Sequence, residues 1–324
     1  MNVIIPVAGE GVRLKPHTHV LPKSLLHVAG NTILGHILES LKPLKISKVV
    51  IVLGSKADEI TAFCRNYPLK LKYKFVTQHK RLGLGHAIHI GARGLKGPTL
   101  VLLGDTIIDH NLKSFCKQNT NLIAVKKVAD PRRFGIVEVK NNIVVNVVEK
   151  PEIPPSNLAI VGLYFFRKIE KAYQALDYII KKNIRTKGEY QLTDGLERMI
   201  KQGERFKTVS ITHWFDCGTP DAMIDTNRHL LKTTHYYKKR RNAAITSPVY
   251  ISDSAVIINS LIGPDVSIGG KVFIRNSIIK DSIINQGALI ENSLLSRSIV
   301  GQNAVVKSSF KKLNVGDHSV IELS

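Results

Sequence analysis

The sequence predicts an α/β protein: a Rossmann-like doubly wound mixed sheet followed by a C-terminal left-handed parallel β-helix. Two observations carry this. Through the first two-thirds of the 324 residues, apolar strand-like runs alternate with helical patterns. Near Asn242–Ser247 that alternation stops, and short aliphatic phrases at even spacing replace it. The predicted domains are accordingly 1–242 and 243–324.

In chain order, the strand-like runs are Asn2–Ala8, Val49–Leu53, Leu71–Thr77 and Thr99–Leu103. Helical patterns cover Ile33–Leu41, Lys56–Asn66 and Leu84–Gly91 between them. Strand, helix, strand at this spacing means βαβ units and a parallel sheet covered on both faces. Right-handed crossovers then give a doubly wound sheet. Ligands of such sheets sit beyond the carboxyl ends of the strands, here just after Ala8, Thr77 and Leu103.

The tail repeats a polar-Ser-aliphatic-aliphatic phrase beginning at Asn259, Asn276, Asp281, Asn292 and Arg297. Aliphatic anchors are expected at Val256, Ile262, Ile268, Ile274, Ile279, Ile284, Ile290, Leu295, Val300 and Val306, five or six residues apart. A three-sided coil needs one inward aliphatic per side, so the rhythm is that of a left-handed β-helix. Glycines 263, 269, 287 and 301 suit its corners.

Composition narrows the function classes. Hydrophobic residues make up 44% and charged residues 22%, as in an ordinary soluble domain, and no apolar run is long enough to span a membrane. The N-terminal MNVIIPVAGEG reads as a buried strand rather than a signal peptide. Cys64, Cys116 and Cys217 show no CxxC spacing, which fits a reducing cytoplasm. Lys+Arg number 47 against 25 Asp+Glu, a formal +22. The excess suits anionic partners or is simply a solubilising surface. Its one dense run is Lys238–Arg241, and no interleaving of aromatic and basic residues points to nucleic acid.

The loop after the first strand carries the first chemistry. Gly9 and Gly11 let backbone N–H groups approach an anion, and Arg13 and Lys23 add fixed positive charge. It matches neither a Walker loop nor GxGxxG, since Leu14 holds the last position. His17 and His19 lie two apart, and His86 and His89 three apart, without carboxylates at ligand spacing. They read as loop and surface histidines.

The wider pattern Gly-x-Gly-x-Arg-Leu-x-Pro-x-Thr, followed by Pro-Lys-x-Leu-Leu and Val-Ala-Gly, resembles the opening signature of the sugar-1-phosphate nucleotidyltransferases. The resemblance continues over about residues 1–230. Leu-Gly-Asp105 looks like that family's metal aspartate, and Phe134-Gly135 like its sugar-facing turn. Glu149-Lys150-Pro151 looks like its EKP motif, while Lys187–Asp194 and Trp214–Thr219 look like its two closing motifs.

The resemblance implies the reaction NTP + sugar-1-phosphate → NDP-sugar + pyrophosphate, with dTTP and glucose-1-phosphate the first choice of substrates. Both reactants are anions, so screening of charge and positioning dominate. Asp105 and Asp216 would hold Mg²⁺ against phosphate oxygens. Arg13 would meet the departing pyrophosphate. Lys23 would neutralise charge on the triphosphate. Lys150 and Lys187 would hold the sugar phosphate, and Glu149 would accept hydrogen bonds from sugar hydroxyls. Gln78, with the Gly83 backbone, would read the base through an amide that both donates and accepts.

Two departures stand out: Glu10 places a carboxylate between the loop glycines, and Val12 replaces the usual threonine. The expected partners are therefore an NTP, a sugar-1-phosphate and further copies of the chain, with no nucleic acid and no membrane. A UTP or GTP enzyme acting on glucose- or mannose-1-phosphate is the alternative within the class. A regulatory subunit on an inactive transferase domain is the alternative outside it, and the intact Arg13, Lys23, Asp105 and Asp216 count against that. A tail that acetylates the sugar is disfavoured, because the coil is short and His318 is its only histidine.

Overall fold

The computed structural model describes residues 1–240 and 242–308. Arg241 and the tail that contains His318 lie outside the described residues. The chain divides into two compact units, one formed by 1–26 and 31–223, the other by 27–30 and the chain from 224 onward.

The first unit is built on a nine-stranded mixed sheet. Its parallel half runs Thr99–Leu102, Asn2–Pro6, Lys48–Leu53, Tyr73–Thr77. The four predicted strands are all present, three of them a residue or two shorter than expected and Lys48–Leu53 one residue longer. Val3, Ile4, Ile5 and Val49–Val52 are fully buried, as a sheet covered on both faces requires. The predicted helices appear as Ile33–Ser40, Ala57–Asn66 and Leu84–Ala92. Thr32 caps the first of them, its hydroxyl accepting from the Gly35 N–H at 2.9 Å. Beyond Thr99–Leu102 the sheet turns antiparallel: Leu158–Phe166 joins it there and also pairs with Asn121–Lys127. The hairpin Gly135–Lys140 and Ile143–Glu149 closes that edge.

This strand order fixes the ligand position. The chain steps outward from Asn2–Pro6 through two strands and then returns to the other side of the first strand as Thr99–Leu102. The carboxyl ends of these two neighbours form the switch point of the sheet, where bound molecules collect. Gly104 N donates to the Pro6 carbonyl at 3.1 Å and holds the two ends together.

The second unit is the three-sided coil expected of a left-handed β-helix, with short parallel strands stacked in three four-stranded sheets. The anchors stack in register: Ile262 on Ile279 on Leu295, Ile268 on Ile284 on Val300, and Ile274 on Ile290 on Val306. One anchor is corrected. Ile257 points inward and pairs with Ile274, while Val256 is 49% exposed. The triplet Val-Ile-Ile is aliphatic at all three positions, so spacing alone does not choose between them.

The corners are also built differently from expectation. Of the expected glycines, only Gly263 and Gly287 have positive φ. Asn259, Asn276, Asp281, Asn292 and Arg297, the residue just before each serine, take the left-handed conformation instead. The serines of three phrases then serve two rungs. Ser277 donates to the Arg275 carbonyl at 2.8 Å and accepts from the Ser293 N–H at 3.1 Å. Ser260 and Ser282 repeat the arrangement. The repeated phrase is therefore a corner followed by a hydroxyl ladder.

Gly263 has φ +103°, and a Cβ there would overlap the Thr246 carbonyl oxygen. Gly263→Ala is expected to destabilise the coil, with backbone strain and overpacking each costing about 1–3 kcal/mol. Thermal unfolding checks this, and an unchanged transition would refute the tight corner.

Candidate functional site

Two cavities in the first unit meet at the switch point. The larger, about 320 Å³, is lined by Gly9, Lys23, Gln78, Gly83 and Asp105, with Arg81 and Glu189 beside them. The second, about 200 Å³, is lined by Arg13, Asp105, Gly135, Glu149 and Asp216, with Arg133, Thr193 and Trp214. Leu84, Leu103 and Asp105 belong to both.

Asp105 follows the strand Thr99–Leu102, and Asp216 ends the strand His213–Asp216. That strand pairs antiparallel with Thr106–Asp109 so that Asp216 lies opposite Thr106. The Cys217 N–H donates to the Asp105 carbonyl at 3.2 Å, locking the two ends together. Lys23 lies between the carboxylates, its Nζ 2.7 Å from Asp105 Oδ2 and 3.8 Å from Asp216 Oδ1. Although Lys23 is buried, this pairing keeps its charge satisfied. Burial first, and then the negative charge of Asp105, push the Asp216 carboxyl above its ordinary value. Lys23, Arg13 and Arg133 pull it back.

Two carboxylates that repel across a gap filled by an ammonium make a donor set of hard oxygens, which suits Mg²⁺ completed by phosphate and water oxygens. Among the described residues, no cluster of three or more His, Cys, Asp or Glu is placed to hold a metal.

Gln78 follows the strand Tyr73–Thr77 and is buried in the wall of the larger cavity. Its Nε2 donates to the Gly83 carbonyl at 3.1 Å and lies 3.0 Å from His86 Nδ1. Only an amide nitrogen donates to a carbonyl, so the first contact fixes the orientation of the amide. With both N–H groups engaged, Gln78 offers its carbonyl oxygen alone as an acceptor. The sequence led us to expect a group that both donates and accepts. His86 is thus a partner of Gln78 rather than a surface residue. His89 pairs with Asp177 at 3.2 Å and stacks on Tyr173 at 4.6 Å, a structural role.

In the second cavity, Glu149 is held by the Thr193 hydroxyl at 3.1 Å and by the Lys150 ammonium at 3.4 Å. A Cβ on Gly135 would come within 3.1 Å of Glu149 Oε2 and 2.9 Å of Thr193 Cγ2, so glycine keeps this wall open. Phe134 and Trp214 meet edge to face at 5.1 Å above it.

Gly11, Lys150 and Lys187 line neither cavity. Gly11 has φ +66° and shapes the loop, with its carbonyl accepting from the Thr18 hydroxyl at 2.8 Å. Lys187 is exposed on the turn 186–189, whose Glu189 does line the larger cavity. Glu10 pairs with Arg81, so its charge is neutralised at the cavity rim.

Sequence reasoning did not single out Arg81, Arg133, Thr193 or Glu189. The available signals were the doublet Arg132-Arg133 before Phe134-Gly135 and, for Glu189 and Thr193, their place inside the Lys187–Asp194 motif. Arg132 is bound to Asp130 at 2.8 Å, and Arg133 lines the cavity.

Val12 is 57% exposed and carries no packing load. Val12→Thr is expected to leave Tm within about 2 °C of wild type, as for a surface substitution within ±0.5 kcal/mol. The KM for nucleotide should be equal or lower, since a new hydroxyl contact is worth about 0.5–1.5 kcal/mol. A clear rise in that KM would show that the loop is placed wrongly against the nucleotide.

Such a sheet, with cationic and carboxylate side chains gathered at its switch point, is that of an α/β protein built to hold anionic ligands. The chain belongs to the nucleotidyl transferase family, within its sugar-1-phosphate nucleotidyltransferases, as the motifs suggested. The family model matches residues 2–233. The bifunctional protein GlmU of Methanocaldococcus jannaschii is 33% identical over 261 residues, 79% of this chain and 61% of that protein. The chain therefore spans less than two-thirds of the length of that relative. Glucose-1-phosphate thymidylyltransferase of Streptomyces griseus is 29% identical, over 89% of this chain and 88% of that protein. A crystal structure of UDP-glucose pyrophosphorylase complexed with UDP-glucose shares the fold. Its TM-score is 0.61 at 24% identity, over 71% of this chain and 98% of that one.

Proposed function

We propose that the chain joins an NTP to a sugar-1-phosphate, giving an NDP-sugar and pyrophosphate, with dTTP and glucose-1-phosphate as its pair. The observation that carries this is the pair of cavities sharing Asp105. One is fitted for a base and phosphates and the other for a sugar, so the reacting phosphates meet at their boundary. A phosphate oxygen of the sugar-1-phosphate attacks the α-phosphorus, and the bond from that phosphorus to the β-phosphate oxygen breaks in line.

Lys23 and the backbone at Gly9 and Gly11 neutralise and seat the triphosphate. Arg13 meets the departing pyrophosphate with a bidentate fork. Glu149 accepts from sugar hydroxyls beside Gly135, while Lys150, 3.4 Å from Glu149, and Lys187, on the turn that carries Glu189, would reach the sugar phosphate from outside the cavity walls. Mg²⁺ held by Asp105 and Asp216 would withdraw charge from the phosphate oxygens.

The single acceptor on Gln78 suits a base with a ring N–H: thymine, uracil or guanine. Set against that ring position, it would repel the lone pair that cytosine and adenine carry there, whereas against an exocyclic amino group it would not. The length match with the thymidylyltransferase relative favours dTTP. The GlmU relative, at higher identity, keeps a UTP enzyme as the second reading.

Residues 1–242 form the proposed catalytic domain, and 243–324 a structural one. Leu261, Ile278 and Leu294 stack as an exposed aliphatic row on one face of the coil, which supports assembly of several copies. Sedimentation of the whole chain reads this directly, and a monomer would refute it. A cytoplasmic setting fits three free cysteines, two of them buried, and the lack of any described helix long and apolar enough to cross a membrane.

Pyrophosphate release from each of four NTPs against a panel of sugar-1-phosphates tests the pairing. Release with dTTP, UTP or GTP but not with CTP or ATP is expected. Equal use of CTP and dTTP would refute the role given to Gln78.

A further inference from the structure

Lys56 takes no part in the mechanism above, yet its surroundings are specific. It follows the strand Lys48–Leu53 and sits at the start of the helix Ala57–Asn66. Its ammonium donates to three backbone carbonyls of one loop: Thr18 at 2.6 Å, His19 at 2.8 Å and Leu21 at 3.3 Å. An ammonium has three N–H groups, and three carbonyls take them. Lys56 is therefore committed to the backbone rather than aimed at a phosphate.

The clamped segment joins the two halves of the phosphate loop. On one side, Thr18 is buried and its hydroxyl donates to the Gly11 carbonyl at 2.8 Å, fixing the left-handed turn that precedes Arg13. On the other, Leu21 leads through Pro22 to Lys23, which is 2.7 Å from Asp105. Gly54 lets the Lys56 turn come close: a Cβ there would lie 2.7 Å from the Ala8 carbonyl, at the end of the first strand. Three charge-assisted bonds thus tie the end of one strand to the loop that follows its neighbour.

We propose that Lys56 is a positioning residue for nucleotide binding and turnover: its ammonium sets the loop 9–23, and through it the placement of Arg13 and Lys23. This rests on the role of that loop under Proposed function. Misplacement of reacting groups by about 1 Å can cost on the order of a hundredfold in rate.

The test uses the whole chain with dTTP, glucose-1-phosphate and Mg²⁺. Lys56→Met is expected to lower kcat/KM for dTTP by at least about tenfold, with a raised KM for dTTP. The KM for glucose-1-phosphate should change less than that for dTTP, because the walls of its cavity come mainly from other segments, among them Gly135, Glu149 and Thr193, and the loop brings only Arg13 to it. Lys56→Cys alkylated to an aminoethyl side chain restores the ammonium and should recover activity, against wild type treated identically. Amide hydrogen exchange of residues 9–23 should rise in Lys56→Met while the rest of the sheet is unchanged.

Kinetics equal to wild type, a KM for glucose-1-phosphate raised as much as that for dTTP, or no recovery on aminoethylation would each overturn the proposal. If the wild type releases no pyrophosphate from any substrate pair, the reading of the function fails. The exchange measurement still judges the clamp in that case, and unchanged exchange at 9–23 would overturn it.

Discussion

Asp105→Asn is expected to lower kcat/KM by about a hundredfold to a thousandfold, roughly 3–4 kcal/mol of transition-state stabilisation. The substitution keeps the shape of the side chain and its neighbour, the Thr106 hydroxyl 3.2 Å away. It removes the charge that faces Lys23 at 2.7 Å and, with Asp216, would hold Mg²⁺. Folding should survive, because the carboxylate is partly exposed and the strand pairing that carries it is made by the backbone. Turnover, Tm and binding of Mn²⁺ in the presence of nucleotide would be measured together. Activity within about threefold of wild type, from a folded variant, would contradict the two-carboxylate site.

Gly83→Ala is expected to raise the KM for NTP by about tenfold to a hundredfold, the loss of one or two good hydrogen bonds to the base. Gly83 has φ +100°, and an added Cβ would lie 2.7 Å from the Tyr190 carbonyl and 2.8 Å from Glu189 Cβ. The backbone opposite is held by Gly85 N and Tyr190 N at 2.8 Å each, so the loop at Gly83 must move. Its carbonyl carries Gln78, and the amide loses its fixed orientation as the loop shifts. The KM for sugar-1-phosphate reads the other cavity and should change little. An unchanged KM for NTP would remove Gln78 and Gly83 from the base site.

The inner strands of the parallel half were legible because Val3–Ile5 and Val49–Leu53 are buried and therefore uniformly aliphatic, whereas the edge strand Tyr73–Thr77 is only partly buried and mixed in composition. The coil was legible because each rung must place one aliphatic residue inward per side. The misplacement of Val256 for Ile257 came where three aliphatics adjoin and the rhythm loses its contrast. Asp105 and Asp216 were found as separate motifs, but the ammonium between them depends on three distant segments meeting. The orientation of the Gln78 amide was beyond sequence reasoning, since it is set by a carbonyl and a ring nitrogen whose positions depend on how the following loop and helix fold back. The Lys56 clamp was hidden for the same reason: its acceptors are backbone carbonyls, which have no side-chain signature. Lys187 was singled out by its motif alone, and the structure places it on an exposed turn.

The central claim is that this chain joins an NTP to a sugar-1-phosphate at the boundary of two cavities. Incubation with dTTP, glucose-1-phosphate and Mg²⁺, followed by mass spectrometry of the nucleotide products alongside a pyrophosphate count, tests it most directly. The expected result is an NDP-sugar formed one for one with pyrophosphate, abolished by chelation of the metal and severely reduced in Asp105→Asn. A folded protein that forms no NDP-sugar from any combination of dTTP, UTP or GTP with glucose- or mannose-1-phosphate, or that releases orthophosphate instead, would contradict it.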